Sequence, residues 1–182
     1  MKNKKSREMF TFTNSLKILA FLAEKSGREF LGSEIQKAVN LSRAGVYLST
    51  KELAADGLIN INVRGKIRLY SFDGQNPVSK QYKVILNLIL IEPLIVRLRE
   101  ISKAVILYGS ASRGEDDESS DIDLFILSHD PESVKRVIVM ANIKRKIQPV
   151  IKTPVEFSAF KDKEKTYATE VARGITVWEN NK

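Results

Sequence analysis

The sequence predicts an α/β (α+β) domain, preceded by a smaller helical domain that closes in a β-hairpin. Three observations carry this reading. Residues 1–73 hold 13 Lys/Arg against 7 Asp/Glu, whereas the remainder holds 17 against 15, so most of the formal +8 charge sits in the first part. Helical apolar periodicity in that part gives way to two alternating runs within 58–72. Farther on, the apolar runs 104–108 and 122–127 read as buried strands on either side of a Gly-Ser bend. A length of 182 residues suits one domain or two small ones, at about 100–200 residues per domain.

Composition removes several chemistries. Apolar residues at 43% and charged residues at 29% describe a globular chain rather than a disordered one. With no cysteine there are no disulfides, zinc–thiolate sites or cysteine nucleophiles, and the single His129 excludes any scheme needing two imidazoles. No apolar run approaches the ~18–20 residues of a membrane span, and the basic start lacks a signal core, so the expectation is a cytoplasmic protein with no membrane partner.

The first helix is expected over 15–24, with Leu16, Leu19, Ala20 and Ala23 on one stripe, capped by Asn14 or Ser15 and ended by Gly27. Phe30-Leu31 is a short extended piece. Ser33 caps a second helix through Ala38, and Ser42 caps a third that runs to Asp56 and stops at Gly57. Residues 58–63 then alternate as a strand, Arg64-Gly65-Lys66 turns, and 67–72 alternate back. Helix, short strand, two helices and a hairpin follow the winged helix-turn-helix order. The stretch from Leu41 to Ile59 also resembles the recognition helix and wing entry of bacterial and archaeal winged-helix regulators. Arg43, Tyr47 and Lys51, at i, i+4 and i+8, share a helix face suited to a major groove, and Arg64, Lys66 and Arg68 on the hairpin are placed to meet phosphates. Double-stranded DNA is therefore the expected partner of a domain spanning 1–76.

Gly74-Gln75-Asn76-Pro77 reads as a boundary, followed by a connector helix over 77–101 that is apolar almost all round and is expected to kink or break at Pro93. Such a helix must be buried between domains or against a second chain, which suggests a homodimer.

The most specific stretch lies in the domain spanning 102–182. After the strand 104–108, Gly109-Ser110 permits a tight turn into a helix whose free N–H groups can meet an anion, and Ser110 and Arg113 add donors. Asp121 and Asp123, two apart on a strand, project to one face and can hold Mg²⁺ against a triphosphate. Gly109-Ser110, Arg113-Gly114 and Ser120-Asp121-Ile122-Asp123-Leu124 together resemble the DNA polymerase beta superfamily of nucleotidyltransferases, in its minimal branch, over roughly residues 86–182. The resemblance implies a mixed sheet and an NTP, ATP first among candidates, bound through Gly109, Ser110 and Arg113, with Mg²⁺ on Asp121 and Asp123. It also implies a third carboxylate from a later strand. The strand 146–151 puts Gln148 in that place, and Glu156 is the nearest acidic substitute, although Pro154 ahead of it reads as a helix start.

Lys144-Arg145-Lys146 reads as a solvated turn that could also touch substrate phosphates, His129 as a loop residue, and Trp178 as core rather than a base-stacking platform. Helices 131–142 and 160–173 should cover the sheet. Two functions remain open at this stage. One is transfer of a nucleoside monophosphate to an acceptor, such as a partner protein or toxin, coupled to DNA binding. The other is a transcriptional regulator or antitoxin whose degenerate transferase domain senses nucleotide.

Overall fold

The computed structural model describes residues 7–180; the basic start at Lys2–Lys5 lies outside them. Packing divides the chain into two units, Met1–Leu86 with Gly114–Ser119, and Asn87–Arg113 with Ser120–Lys182. The division falls inside a helix rather than at the Gly74–Pro77 break.

In the first unit the elements run α1 (Asn14–Glu24), β1 (Phe30–Leu31), α2 (Gly32–Val39), α3 (Arg43–Ala55), β2 (Ile59–Arg64) and β3 (Ile67–Phe72). The α1 cap is Thr13, one residue earlier than expected: its Oγ1 accepts the Leu16 N–H at 3.1 Å. The α2 cap also differs, because Leu31 precedes that helix and its N–H donates to Glu34 at 2.7 Å, while Ser33 lies inside the first turn. Ser42 caps α3 as expected, accepting the Gly45 N–H at 3.1 Å. Gly65 turns the β2–β3 hairpin at φ +62°, and Phe30 pairs with Tyr70 to add β1 to its edge. Ile18, Leu22, Ile35, Val46, Leu53, Ile59 and Phe72 form this unit's core.

The helix α4 (Pro77–Leu98) is continuous, and Pro93 neither breaks it nor ends it. The ring lies on the exposed face, while Ile91, Leu94, Ile95 and Leu98 are buried on the other. Each such burial contributes about 1.5–3 kcal/mol, enough together to offset the ~3 kcal/mol that an interior proline costs.

The second unit is built on β4 (Ala104–Tyr108), β5 (Ile122–Leu127), β6 (Ile147–Lys152) and β7 (Ile175–Glu179). Their order is β6-β5-β4-β7, with β5 and β6 parallel and the other pairs antiparallel, a mixed sheet. Pro149, which has no N–H to give, is accommodated because β6 is an edge strand. One face buries Val105, Leu107, Ile122, Leu124 and Ile126 with the end of α4 and with Val134 of α6 (Pro131–Val139). The other buries Tyr108 and Phe125 with Val171. The single helix expected at 160–173 is instead two, α7 (Pro154–Lys163) and α8 (Lys165–Ala172). Between β4 and β5 lies the short helix α5 (Gly109–Arg113). Trp178 packs partly buried against the larger core, as expected. None of the described helices is long and apolar enough to cross a membrane.

Candidate functional site

Strand alternation decides which side chains share the site. Ile122, Leu124 and Ile126 face the larger core, so Asp123 faces the opposite side with Phe125. The β4–β5 register sets Tyr108 beside Asp123, and the chain leaves Tyr108 directly into Gly109. Gly109 holds φ +68°, and a Cβ there would collide with the Asp123 carboxylate. The Gly-Ser bend and Asp123 are therefore packed against each other, at a distance only glycine permits. Ser110 is half-buried and Arg113 exposed, its guanidinium 4.0 Å from Glu170.

Asp121 stands just before β5. The Asp123 pKa is raised above the ordinary carboxylate value, first by burial, then by the negative charges of Asp121 and Glu170. The two aspartates are close enough to repel, which is the condition a divalent cation relieves. A separate network fixes the backbone here: Arg145 donates to the carbonyl of Ser120 at 2.6 Å and, at 3.2 Å, to Asn87, whose amide donates to the Ala111 carbonyl at 3.0 Å. Arg145 is thus a tie between α5 and the aspartate segment, not a solvated turn residue. Its neighbour Lys146 donates to Asp121 Oδ2 at 2.6 Å.

A cleft of about 500 Å³ opens beside Asp123. Gln148, in register with Asp123 on β6, lines it, followed along the same strand by Val150 and Lys152. From α8 and its cap come Glu164, Tyr167 and Glu170. Tyr108 and Tyr167 share a hydroxyl–hydroxyl hydrogen bond under the cleft, and burial raises both phenol pKa values, so neither is a ready nucleophile.

Glu156 does not join this group. Its carboxylate accepts the Thr153 N–H at 2.7 Å and the Thr153 hydroxyl at 2.8 Å, capping α7 from an exposed position. Those bonds, the backbone one first, hold its pKa below the usual value. The role of third carboxylate expected for it goes unfilled at that position. No set of three or more acidic or His/Cys side chains arranged to hold a metal occurs among the described residues. Glu170 lines the same cleft and its charge acts on Asp123; sequence reasoning missed it because its only signal is a helical position more than twenty residues past Gln148.

In the first unit Arg43, Tyr47 and Lys51 are all exposed on α3, Tyr47 at 50%. Arg64, Lys66 and Arg68 are exposed on the hairpin, with Arg64 paired to Glu29 at 2.7 Å. His129 is an exposed loop residue.

Residues 90–182, half of the chain, match a family model described as polymerase beta, nucleotidyltransferase. No curated protein matches the chain. Among solved structures, one titled "Possible transcriptional regulator" from Methanosarcina mazei Go1 is similar at 16% identity and a TM-score of 0.33, covering 55% of this chain and 88% of that one.

Proposed function

Because the chain belongs to the polymerase beta nucleotidyltransferase family, we propose that it transfers a nucleoside monophosphate from an NTP, ATP first, to an acceptor hydroxyl, with release of pyrophosphate. The observation that carries this reading is the packing of Gly109 against Asp123 inside the matched region. Asp121 and Asp123 suit Mg²⁺, since two mutually repelling carboxylates stand beside a glycine with no Cβ and Asp123 lines an open cleft. When bound there, the ion would supply charge neutralisation on the polyphosphate.

The chain's own groups divide the remaining work. Ser110 and Arg113 orient the phosphates, Arg113 as a charge-assisted donor. The acceptor oxygen forms a bond to the α-phosphorus as the bond to the pyrophosphate oxygen breaks. Gln148 is neutral and cannot take the acceptor proton, so Glu170 takes it across the cleft. The first unit is read as a winged helix that binds duplex DNA through Arg43, Tyr47, Lys51, Lys66 and Arg68, as a pair of chains.

The test is α-labelled ATP with Mg²⁺ and co-purified partner proteins. Label should pass to an acceptor and be lost in Asp121→Ala and Asp123→Ala. Glu170→Gln should lower kcat by about 10²-fold or more with KM for ATP little changed, as for a removed general base. A second reading is favoured by one observation, that Gln148 and Lys146 rather than acids flank the aspartates. It is a DNA-binding regulator or antitoxin whose transferase fold senses nucleotide. Duplex binding altered by ATP, with no transfer to any acceptor, selects it.

A further inference from the structure

The edge strand β6 presents to the aspartates a surface unlike an acidic metal site. Asp123 lies beside Gln148 and Ile122 beside Ile147 in the parallel register. One step back, Lys146 reaches Asp121 and donates to its Oδ2 at 2.6 Å. Lys146, just before β6, thus gives Asp121 an ammonium partner, while the neutral Gln148 stands in register beside Asp123. Where a third acid would add negative charge, this strand leaves it out and supplies a cation.

The backbone of Asp121 does not depend on that ammonium. Arg145 holds the carbonyls of Ser120 and Asp121, so Lys146 acts on the carboxylate alone. Its side chain is 72% exposed and that of Asp121 30%. A pair this open is weak enough to be displaced by a divalent ion, and the long stem lets the released ammonium stay beside the site.

We propose that Lys146 is a resident counter-charge of the acidic pair. It occupies Asp121 until a divalent ion displaces it, and then serves as a monovalent cation for the polyphosphate of the bound nucleotide. The second half rests on the nucleotidyl-transfer reading; the first does not.

The two halves predict effects of opposite sign for one substitution, which a merely structural lysine would not produce. The probes are Mn²⁺ alone, followed by its free-ion spin resonance signal, and α,β-methylene ATP at saturating Mn²⁺, followed by calorimetry, both on the full chain. Lys146→Ala should bind Mn²⁺ about two- to fivefold more tightly, the range an exposed ion pair commands. The same variant should bind the analogue about two- to fivefold more weakly. Lys146→Arg should keep both wild-type values. Equal Mn²⁺ affinity in wild type and Lys146→Ala overturns the proposal, and equal, measurable analogue affinity overturns its second half. A chain that binds Mn²⁺ more tightly on loss of Lys146 but takes up no analogue in any form overturns the nucleotidyl-transfer reading and upholds the counter-charge at Asp121.

Discussion

Gly109 shows how much one residue can decide. Its φ of +68° is strained for any other residue, and the Asp123 carboxylate fills the space a side chain would need. Gly109→Ala should therefore cost more than about 1 kcal/mol of stability and abolish nucleotide uptake, measurable by thermal melting and calorimetry on one sample. Glu156 makes the converse point. Its acidity and its place after β6 suggested catalysis, yet a carboxylate three residues past a threonine, with a proline between, satisfies a helix start first. Glu156→Gln should lower the melting temperature slightly and leave transfer unchanged, whereas Glu170→Gln should do the reverse. The motif residues Gly109, Ser110, Asp121 and Asp123 were legible because their spacing is local. Arg145, Asn87 and Glu170 were not, because their roles come from contacts across 24 to 58 positions of chain and from a helix folded back over the sheet.

At the level of elements, the proposed duplex binding rests on α3 and the β2–β3 hairpin. Arg43, Tyr47 and Lys51 share an exposed helical face, so Arg43→Ala and Lys51→Ala should each reduce the salt dependence of duplex binding by about one counterion. Arg64→Ala should do less than Arg68→Ala, since Glu29 already partly neutralises Arg64. Filter binding over a salt series separates these cases. Pro93 shows where element-level rules yield: a proline predicts an interruption, but four buried neighbours on the opposite face keep α4 whole. Local propensity was readable; the packing that overrode it was not.

For the whole molecule, the notable segment is Gly114–Ser119, which packs with the first unit although it joins Arg113 to the aspartate strand of the second. Three of its four acids pair with cations of the first unit. Glu115 pairs with Lys80 at 3.0 Å, Glu118 with Lys25 and with Arg28 at 3.2 Å, and Asp116 with the buried Lys83 at 3.8 Å. Gly114 lies so close to the Lys80 backbone that a Cβ would not fit. Lys83→Ala should destabilise the chain by about 3 kcal/mol or more, as when one partner of a buried pair is removed, visible in urea denaturation. Hydrogen bonding and charge from Lys25 and Arg28 lower the Glu118 pKa below its ordinary 4.5. That contribution is full above pH 4.5 and lost as pH falls through the lowered value, so Glu118→Gln should flatten the acid side of the stability–pH curve. By itself the sequence determined the element types, the mixed α/β character of the second half, the basic first half and the Gly-Ser and Asp-x-Asp pairing, because each is written in short-range periodicity, turn chemistry and composition. Only the tertiary structure decided that Glu156 caps a helix, that Glu170 and Lys146 attend the aspartates, and that the acidic loop is held by lysines and arginines far back in the chain. Those outcomes depend on which surfaces meet when the sheet and helices bury their apolar faces, and that is a property of packing rather than of any local run of residues.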